Sequence, residues 1–334
     1  MEKNNIYFKC PKLNVDRRAE VYSVIKDWVN SPALLDLIKE FDGHIPNGLS
    51  LESFIGWLHE FSTRWDFRRM QREAEAKDIG EGARWLLDDS EITEHTKNII
   101  SSSAEVLGLI GISKPFMKHY DYILSLGGAK LSCLLRTKWA FQLVEQHNYN
   151  PKAIVLLASS RPISESERKA TDTYAKSAKT EFDLINAGAK SCFNGGSKFE
   201  EEKYDDTENS NKSWKVRKYK SFKSTTPVIA ISAPSTEPDI RRANSADTYE
   251  FFFSKLNIPQ GSSLLLVTSQ IYVPYQQLEA IRSVAIPHNV IMETVGFPAD
   301  WTTELQGMTG PTNYLQEIRS TIQSIQRFVN TYKH

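Results

Sequence analysis

From Tyr120 onward the chain alternates short apolar runs with helical patterns, and that alternation restricts the fold more than any other feature. "YDYILSLGG" reads as a strand with its turn, and "AKLSCLLRTKWAFQLVEQH" as a helix. "KAIVLLASS" is apolar without a break, the pattern of a strand buried on both faces. "SESERKATDTYAKSAKTEFDLINAG" reads as a polar helix ending at Gly188, a residue suited to a C-cap. The series continues with strands at "TPVIAISAPS", "SSLLLVTSQ" and "HNVIMETVG", separated by helices at "NSADTYEFFFSKL" and "YVPYQQLEAIRSV". An amphipathic helix, "NYLQEIRSTIQSIQRFVNTY", closes it. Strands alternating with helices specify an α/β protein with a doubly wound, mostly parallel sheet.

Residues 1–118 have a different texture. "DRRAEVYSVIKDWVNSPALLDLIKEF", "SLESFIGWLHEFSTRWDFRRMQREAEA" and "TEHTKNIISSSAEVLGLIG" carry helical spacing and few strand signals. They predict an α-helical N-terminal region of four or five helices ending near "ISKPFMKHY", ahead of an α/β domain over 119–334. Ser50 and Glu52 suit an N-cap and an early acidic position. Ser53, rather than Glu or Gln, stands three residues after Ser50, so no capping box forms there.

A charged insertion at about 191–224 interrupts the α/β series. Its first half, "FEEEKYDDTE", carries six acids against one lysine, and its second, "NKSWKVRKYKSFK", six bases and no acid. Such blocks predict a solvated, mobile excursion or an irregular hairpin. The alternative is a flap whose basic half, with Trp214, Tyr219 and Phe222, meets an anionic ligand.

Charge narrows the partners. Lys plus Arg equals Asp plus Glu at 41 each, so no global field argues for nucleic acid or an anionic membrane, and any anion site must be local. Cys10, Cys133 and Cys192 form no CxxC pair, and the seven histidines form no HxH or HxxxH set, which argues against a metal centre. The polar start "MEKNNIYFKCPK" and the lack of an 18-residue apolar run predict a cytoplasmic protein with no membrane span.

In an open parallel sheet, ligands collect beyond the carboxyl ends of the strands. Gly127 and Gly128 follow the first strand, and Ser159, Ser160, Arg161, Glu165 and Glu167 the second. Ser235, Arg241, Arg242, Asn244 and Ser245 follow the third, and Thr268, Ser269, Gln270 and Tyr272 the fourth. Glycines allow close backbone approach, hydroxyls donate, and arginine forks suit carboxylate or phosphate. Asn244 stands as an N-cap with Asp247 in its first turn. The combination suits a small anionic or nucleotide-like molecule. Neither GxGxxG, a P-loop nor a GxSxG elbow is present, and no acid stands where a dinucleotide fingerprint needs one. Glu165, Glu167 and Glu181 are the candidate acid–base groups, with no nucleophile nameable from spacing.

In order, "ILSLGG", the Arg136-x₃-Ala140-x₂-Leu143 helix, "IVLLASSRPISESE", "RRANSADTYEFF" and "LLLVTSQIYVPYQQLEAIR" resemble the motifs of the YdcF/SanA/ElyC family over residues 119–334. Tyr272 and Tyr275 stand where that family often has histidine and arginine. The resemblance implies a Rossmann-like domain, adds Arg136 to the ligand-binding residues, and, through one branch of the family, implies S-adenosylmethionine or another nucleoside-like ligand.

The leading expectation is an enzyme in which Arg161, Arg241, Arg242 and Asn244 clamp an anion and the glycine turn offers backbone donors. A non-catalytic S-adenosylmethionine or nucleoside-binding module is the alternative. A protein partner on the N-terminal helices, through the basic, aromatic stretch "TRWDFRRMQRE", is a third.

Overall fold

The computed structural model describes residues 6–67, 92–111, 114–192, 199–219, 226–297, 301 and 310–333. The chain divides into two compact units. One takes Met1–Ile112, Gln270–Arg282 and Pro298–His334, and the other Ser113–Ser269 and Ser283–Phe297.

The first unit opens with α1 (Arg17–Val29), α2 (Pro32–Glu40), α3 (Leu51–Phe61) and α4 (Glu94–Val106). Each start is chemically marked. Asp16, Ser31, Ser50 and Thr93 accept from first-turn N–H groups, and Pro32 opens α2, where its missing N–H costs nothing. The apolar faces bury Val21, Ile25, Trp28, Leu34, Leu37, Ile38, Ile55, Leu58 and Ile100. Trp28 places its one polar atom well, donating from Nε1 to the Leu107 carbonyl at 3.4 Å. "TRWDFRRMQRE" falls largely outside the described residues.

The second unit is built on the alternation read above. β1 (Tyr122–Leu126) leads to α5 (Ser132–His147), and β2 (Ala153–Ser159) to α6 (Glu165–Ala175) and α7 (Glu181–Cys192). β3 (Phe199–Asp205) and β4 (Trp214–Tyr219) precede β5 (Val228–Ala233), α8 (Ser245–Leu256) and β6 (Ser263–Ser269). The chain then runs through a 3₁₀ turn, α9 (Val273–Ala280) and a π turn to β7 (Ile291–Phe297), and ends in α10 (Pro311–Tyr332).

These strands form one seven-stranded sheet in the order β3-β4-β5-β2-β1-β6-β7. β5, β2, β1, β6 and β7 are parallel, and β3 and β4 join antiparallel at one edge. β1 and β2 are buried along their whole length, which explains their unbroken apolar sequences. The chain fills one side of β1 with β2 and β5, then the other with β6 and β7. The order therefore reverses between β1 and β6.

α9 and α10 belong to the first unit, where α10 packs on α3, α4 and α9. Arg319 fixes that packing from within. It is 5% exposed and donates to Asp66, the His59 carbonyl and the Ser62 hydroxyl at 3.2, 2.9 and 2.9 Å.

One local expectation needs correction, and of the two forms expected for the charged insertion the irregular hairpin is the one present. The helix read as ending at Gly188 is two helices, α6 and α7, broken where Pro162 bridges to Thr180. Gly188 lies inside α7, because a Cβ there would come within 3.2 Å of the Cys133 carbonyl on α5. The charged insertion is an ordered hairpin over its described residues. Arg217 of β4 pairs with Glu202 of β3, and Lys218 reaches Glu201 at 3.0 Å. Its basic half thus meets its own acidic half rather than standing free as a flap. Tyr219 is buried and donates to Asn186, while Trp214 lies against Phe251 with Lys255 Nζ 4.0 Å from its ring centre. Phe222 lies outside the described residues.

The pairing makes a direct prediction. Arg217→Glu places like charges across the ladder and should destabilise the hairpin by about 1 kcal/mol. Adding Glu202→Arg restores the opposite pair. Hydrogen exchange of the β3–β4 amides should rise in the single variant and return in the double. Equal protection in all three proteins would make the ladder energetically silent.

No helix among the described residues is long and apolar enough to cross a membrane.

Candidate functional site

β1 ends at Leu126, and Gly127, Gly128, Ala129 and Lys130 turn the chain into α5. Neither glycine has a positive φ; in this turn Lys130 does, at 50°. What the glycines supply is space. A Cβ on Gly127 would sit 2.9 Å from Glu181 Oε1 and 2.9 Å from the Leu157 carbonyl. A Cβ on Gly128 would sit 2.9 Å from Arg136 Nη1 and 2.9 Å from Ser132 Cβ. The pair admits two charged side chains to the strand ends.

Arg136, one and a half turns into α5, is 5% exposed. Its Nε and Nη2 donate to Ser269 Oγ at 3.2 and 3.0 Å, and its Nη1 donates to the Gly127 carbonyl. It therefore bridges the ends of β1 and β6, where the strand order reverses. In parallel sheets that crevice is the usual ligand position; here a guanidinium fills it.

The polar groups beside it gather at the end of β2. Glu181, the first residue of α7, accepts at Oε2 from the Ser159 N–H at 3.0 Å and the Ser159 hydroxyl at 2.6 Å. Its Oε1 accepts no hydrogen bond among the described residues and faces the position where a Gly127 side chain would stand. Arg161 donates both fork nitrogens to Glu167 at 2.8 Å each. Glu167 also closes the capping box of α6 with Ser164. Burial alone would raise the Glu167 carboxyl, but the Arg161 fork and the Ser164 N–H outweigh it and hold the group at about 2. Ser160 and Ser232 share a hydroxyl–hydroxyl bond of 2.9 Å.

Arg242 reaches the same place from the loop after β5. The residue is exposed as a whole, and its guanidinium makes no hydrogen bond or ion pair among the described residues. Protein crowded around it, and then Arg161, pull its pKa down, while Glu181 and Glu167 act the other way. Lys130 is likewise pulled down by burial, with Glu167 opposing. Cys133 donates to the Gly128 carbonyl at 3.2 Å. Burial, followed by Glu181, pushes its thiol up to about 12 against Arg136 and Arg161, so it stays protonated.

The other expected residues lie elsewhere. Glu165 is exposed, 3.6 Å from Arg168. Arg241, next to Arg242, turns away to Asp247 and to Glu237 at 2.6 Å, and so braces the start of α8. Asn244 caps that helix, accepting from Ala246 and Asp247 while Asp247 accepts from the Asn244 N–H. Ser235 Oγ accepts from the Glu237 N–H at 3.0 Å, and Ser245 is the first residue of α8. Thr268 is fully buried, and its hydroxyl has no hydrogen-bond partner among the described residues. Gln270 and Tyr272 belong to the first unit, where Gln270 donates to the Gly108 carbonyl at 3.0 Å and Tyr272 meets Tyr275 edge-on.

Lys130 and Cys133 join the cluster without having been singled out for it. A lysine two residues past paired glycines was the available signal. No cluster of His, Cys, Asp and Glu suited to a metal occurs among the described residues. In the first unit an open groove of about 670 Å³ lies between α2 and α4, lined by Asp36, Lys39, Glu40, Asp42, His95 and Ile99 among others. Its charges are mixed, and Glu40 already accepts from Thr96 Oγ1 at 2.5 Å.

Residues 13–108 match the family model described as the Rv3785 N-terminal domain. Over 325 residues the chain is 34% identical to the uncharacterized protein Rv3785 of Mycobacterium tuberculosis, covering 92% of this chain and 88% of that protein. The uncharacterized protein Mb3814 of Mycobacterium bovis is similar to the same extent, 34% over 325 residues with the same coverage. No solved structure matches. These matches overturn the YdcF/SanA/ElyC resemblance: they run through the helical region that it left out and point to a different family. The expectation of S-adenosylmethionine, which rested on that resemblance, loses its source.

Proposed function

The chain belongs to the Rv3785 family, and we propose that it is an enzyme holding a small anion beyond the carboxyl ends of β1, β2 and β5. One observation carries this reading: the unpartnered Arg242 guanidinium shares its surroundings with Arg161 and with Glu181, a carboxylate with one oxygen saturated and the other open. The parallel order β5-β2-β1-β6-β7 supports reading the sheet as Rossmann-like, and in such sheets the carboxyl ends of the strands gather ligands. With Arg136 filling the crevice between β1 and β6, the ligand is displaced toward β2 and β5.

The roles follow from the contacts. Arg242 takes the anion, with Arg161 behind it held by Glu167. Ser159 immobilises Oε2 of Glu181, and Oε1 accepts the proton that the reaction removes. No side chain caps α5, so its first N–H groups add partial positive charge.

Thermal unfolding against nucleotides, sugar phosphates and small carboxylates tests the reading. A compound at about 100 times its Kd adds about 2.7 kcal/mol, a shift of a few degrees at this size. The shift should vanish in Arg242→Ala and persist in Glu181→Gln, which loses conversion of the bound compound. Undiminished binding by Arg242→Ala would refute the anion site, and undiminished conversion by Glu181→Gln would remove the proton acceptor. Arg241 does not serve for this test, because its loss would weaken the α8 cap.

A further inference from the structure

The tip of the charged insertion lies at the ligand edge of the sheet. β4 runs antiparallel to β5, with Lys215 opposite Ser232 and Tyr219 opposite Val228. The β3–β4 turn, residues 206–213, therefore stands at the carboxyl end of β5, beside the loop 234–244 that carries Arg242. The turn is ordered from within. Ser213, 2% exposed, accepts the Thr207 N–H at 3.0 Å, and Asn209 Oδ1 accepts the Asn211 N–H at 3.0 Å.

Hydrogen bonds cross from this turn to the loop. The Asn211 carbonyl accepts the Ser235 N–H at 2.7 Å, and Asn211 Nδ2 donates to the Pro238 carbonyl at 2.9 Å. Asn209 Nδ2 donates to the same carbonyl at 3.3 Å and to Asp239 Oδ1 at 3.2 Å. Lys212 also pairs with Asp239 at 3.1 Å, but both side chains are exposed and the pair adds little. The loop's other attachment is to α8. Thr236 and Arg241 both bind Asp247, and Arg241 also reaches Glu237 at 2.6 Å. Arg242 thus leaves a loop clamped on one side by α8 and on the other by the insertion.

We propose that Asn209 and Asn211 are positioning residues, which hold the β5–α8 loop in the arrangement from which Arg242 meets the anion. This rests on the reading of Arg242 as the group that takes the anion, and it gives the insertion a part in that site. The physical ground is preorganisation: a loop already ordered spares the ligand the entropy of ordering it. The Pro238 carbonyl accepts two side-chain amides from the turn, so the loop's apex is fixed by the insertion rather than by α8. Ile240, next to that apex, is 83% exposed and adds little packing of its own.

Hydrogen exchange and anion binding on the full-length protein test this together. Asn209→Ala/Asn211→Ala removes the side-chain ties. A second variant replaces residues 206–213 with Asn-Gly, a two-residue turn that closes the Asp205–Trp214 pair and keeps the ladder. In both, the Ile240 and Arg241 amides, which donate to the Glu237 carbonyl, should lose their protection. The apparent Kd for an anion probe should rise about tenfold, as when only about one molecule in ten has the loop in place. The probe is whichever of adenosine monophosphate, glucose 6-phosphate and citrate wild type binds and Arg242→Ala does not. Residues that only stabilise the fold would lower the urea midpoint and leave the Kd of the folded protein as it was, and that result overturns the proposal. Unchanged exchange at Ile240 and Arg241 overturns it as well, while the anion site stands. If no probe binds through Arg242, the anion reading falls and the positioning role falls with it.

Discussion

Glu167→Gln is expected to lower stability by about 3 kcal/mol at pH 7 and to remove much of the protein's sensitivity to acid. Glu167 is 5% exposed and accepts both Arg161 fork nitrogens and the Ser164 N–H. Glutamine keeps the shape and loses the charge, which strands a largely buried guanidinium; breaking such a pair typically costs about 3–5 kcal/mol. Proton linkage gives a similar figure. The folded carboxyl sits at about 2 against an ordinary 4.5, and each unit is worth about 1.4 kcal/mol, hence about 3 kcal/mol. The folded pKa is depressed, so this stability is fully present above pH 4.5 and is lost as pH falls toward 2. Asp247, also held at about 2 through Arg241 and Thr236, keeps part of the acid limb in the variant. Urea midpoints from pH 6 to pH 2 provide the check. Curves for wild type and variant that stay parallel through that range would mean the pair contributes nothing specific.

The elements most legible in the sequence are those whose burial leaves no choice. "KAIVLLASS" could only be a strand covered on both faces, and it is β2, buried along all seven residues. The hairpin was harder because acidic and basic blocks read one at a time look solvated. Their opposite signs across a short turn were the signal, and the register sets Glu201 and Glu202 against Lys218 and Arg217. Gly188 misled because a local preference for helix ends competes with a packing need that arises only once α7 lies against α5. At the site, Arg241 and Arg242 are adjacent and chemically equal, yet one binds Asp247 six residues on and the other meets Arg161 from a different strand end. No local pattern distinguishes them. The motif likeness to another family failed for a related reason: Arg136, Ala140 and Leu143 are buried positions on one helix, a spacing that core packing alone produces.

Gly128→Ala is expected to cost about 3 kcal/mol, and the cost tests whether Arg136 truly fills the crevice between β1 and β6. The backbone there is not left-handed, so alanine is conformationally allowed. At such a position the substitution would ordinarily stabilise by about 0.4–1 kcal/mol through the unfolded chain. The sign is decided by contact. The new Cβ would meet Arg136 Nη1 and Ser132 Cβ, both at 2.9 Å, and Ser132 Cβ is tied to the helix backbone and has no room to swing. Arg136 must therefore retreat from the Gly127 carbonyl, adding a broken charged hydrogen bond to an overpacking penalty of about 1–3 kcal/mol. Gly56→Ala in α3 is the control: nothing lies within 4 Å of its Cβ, and it should stabilise by up to about 1 kcal/mol. Arg136→Met removes the obstacle, so the double variant Gly128→Ala/Arg136→Met should cost less than the sum of the singles in urea unfolding. Should Gly128→Ala stabilise as Gly56→Ala does, the guanidinium is not wedged. The crevice between β1 and β6 would then be open to a ligand, and the anion would belong there rather than toward β2 and β5.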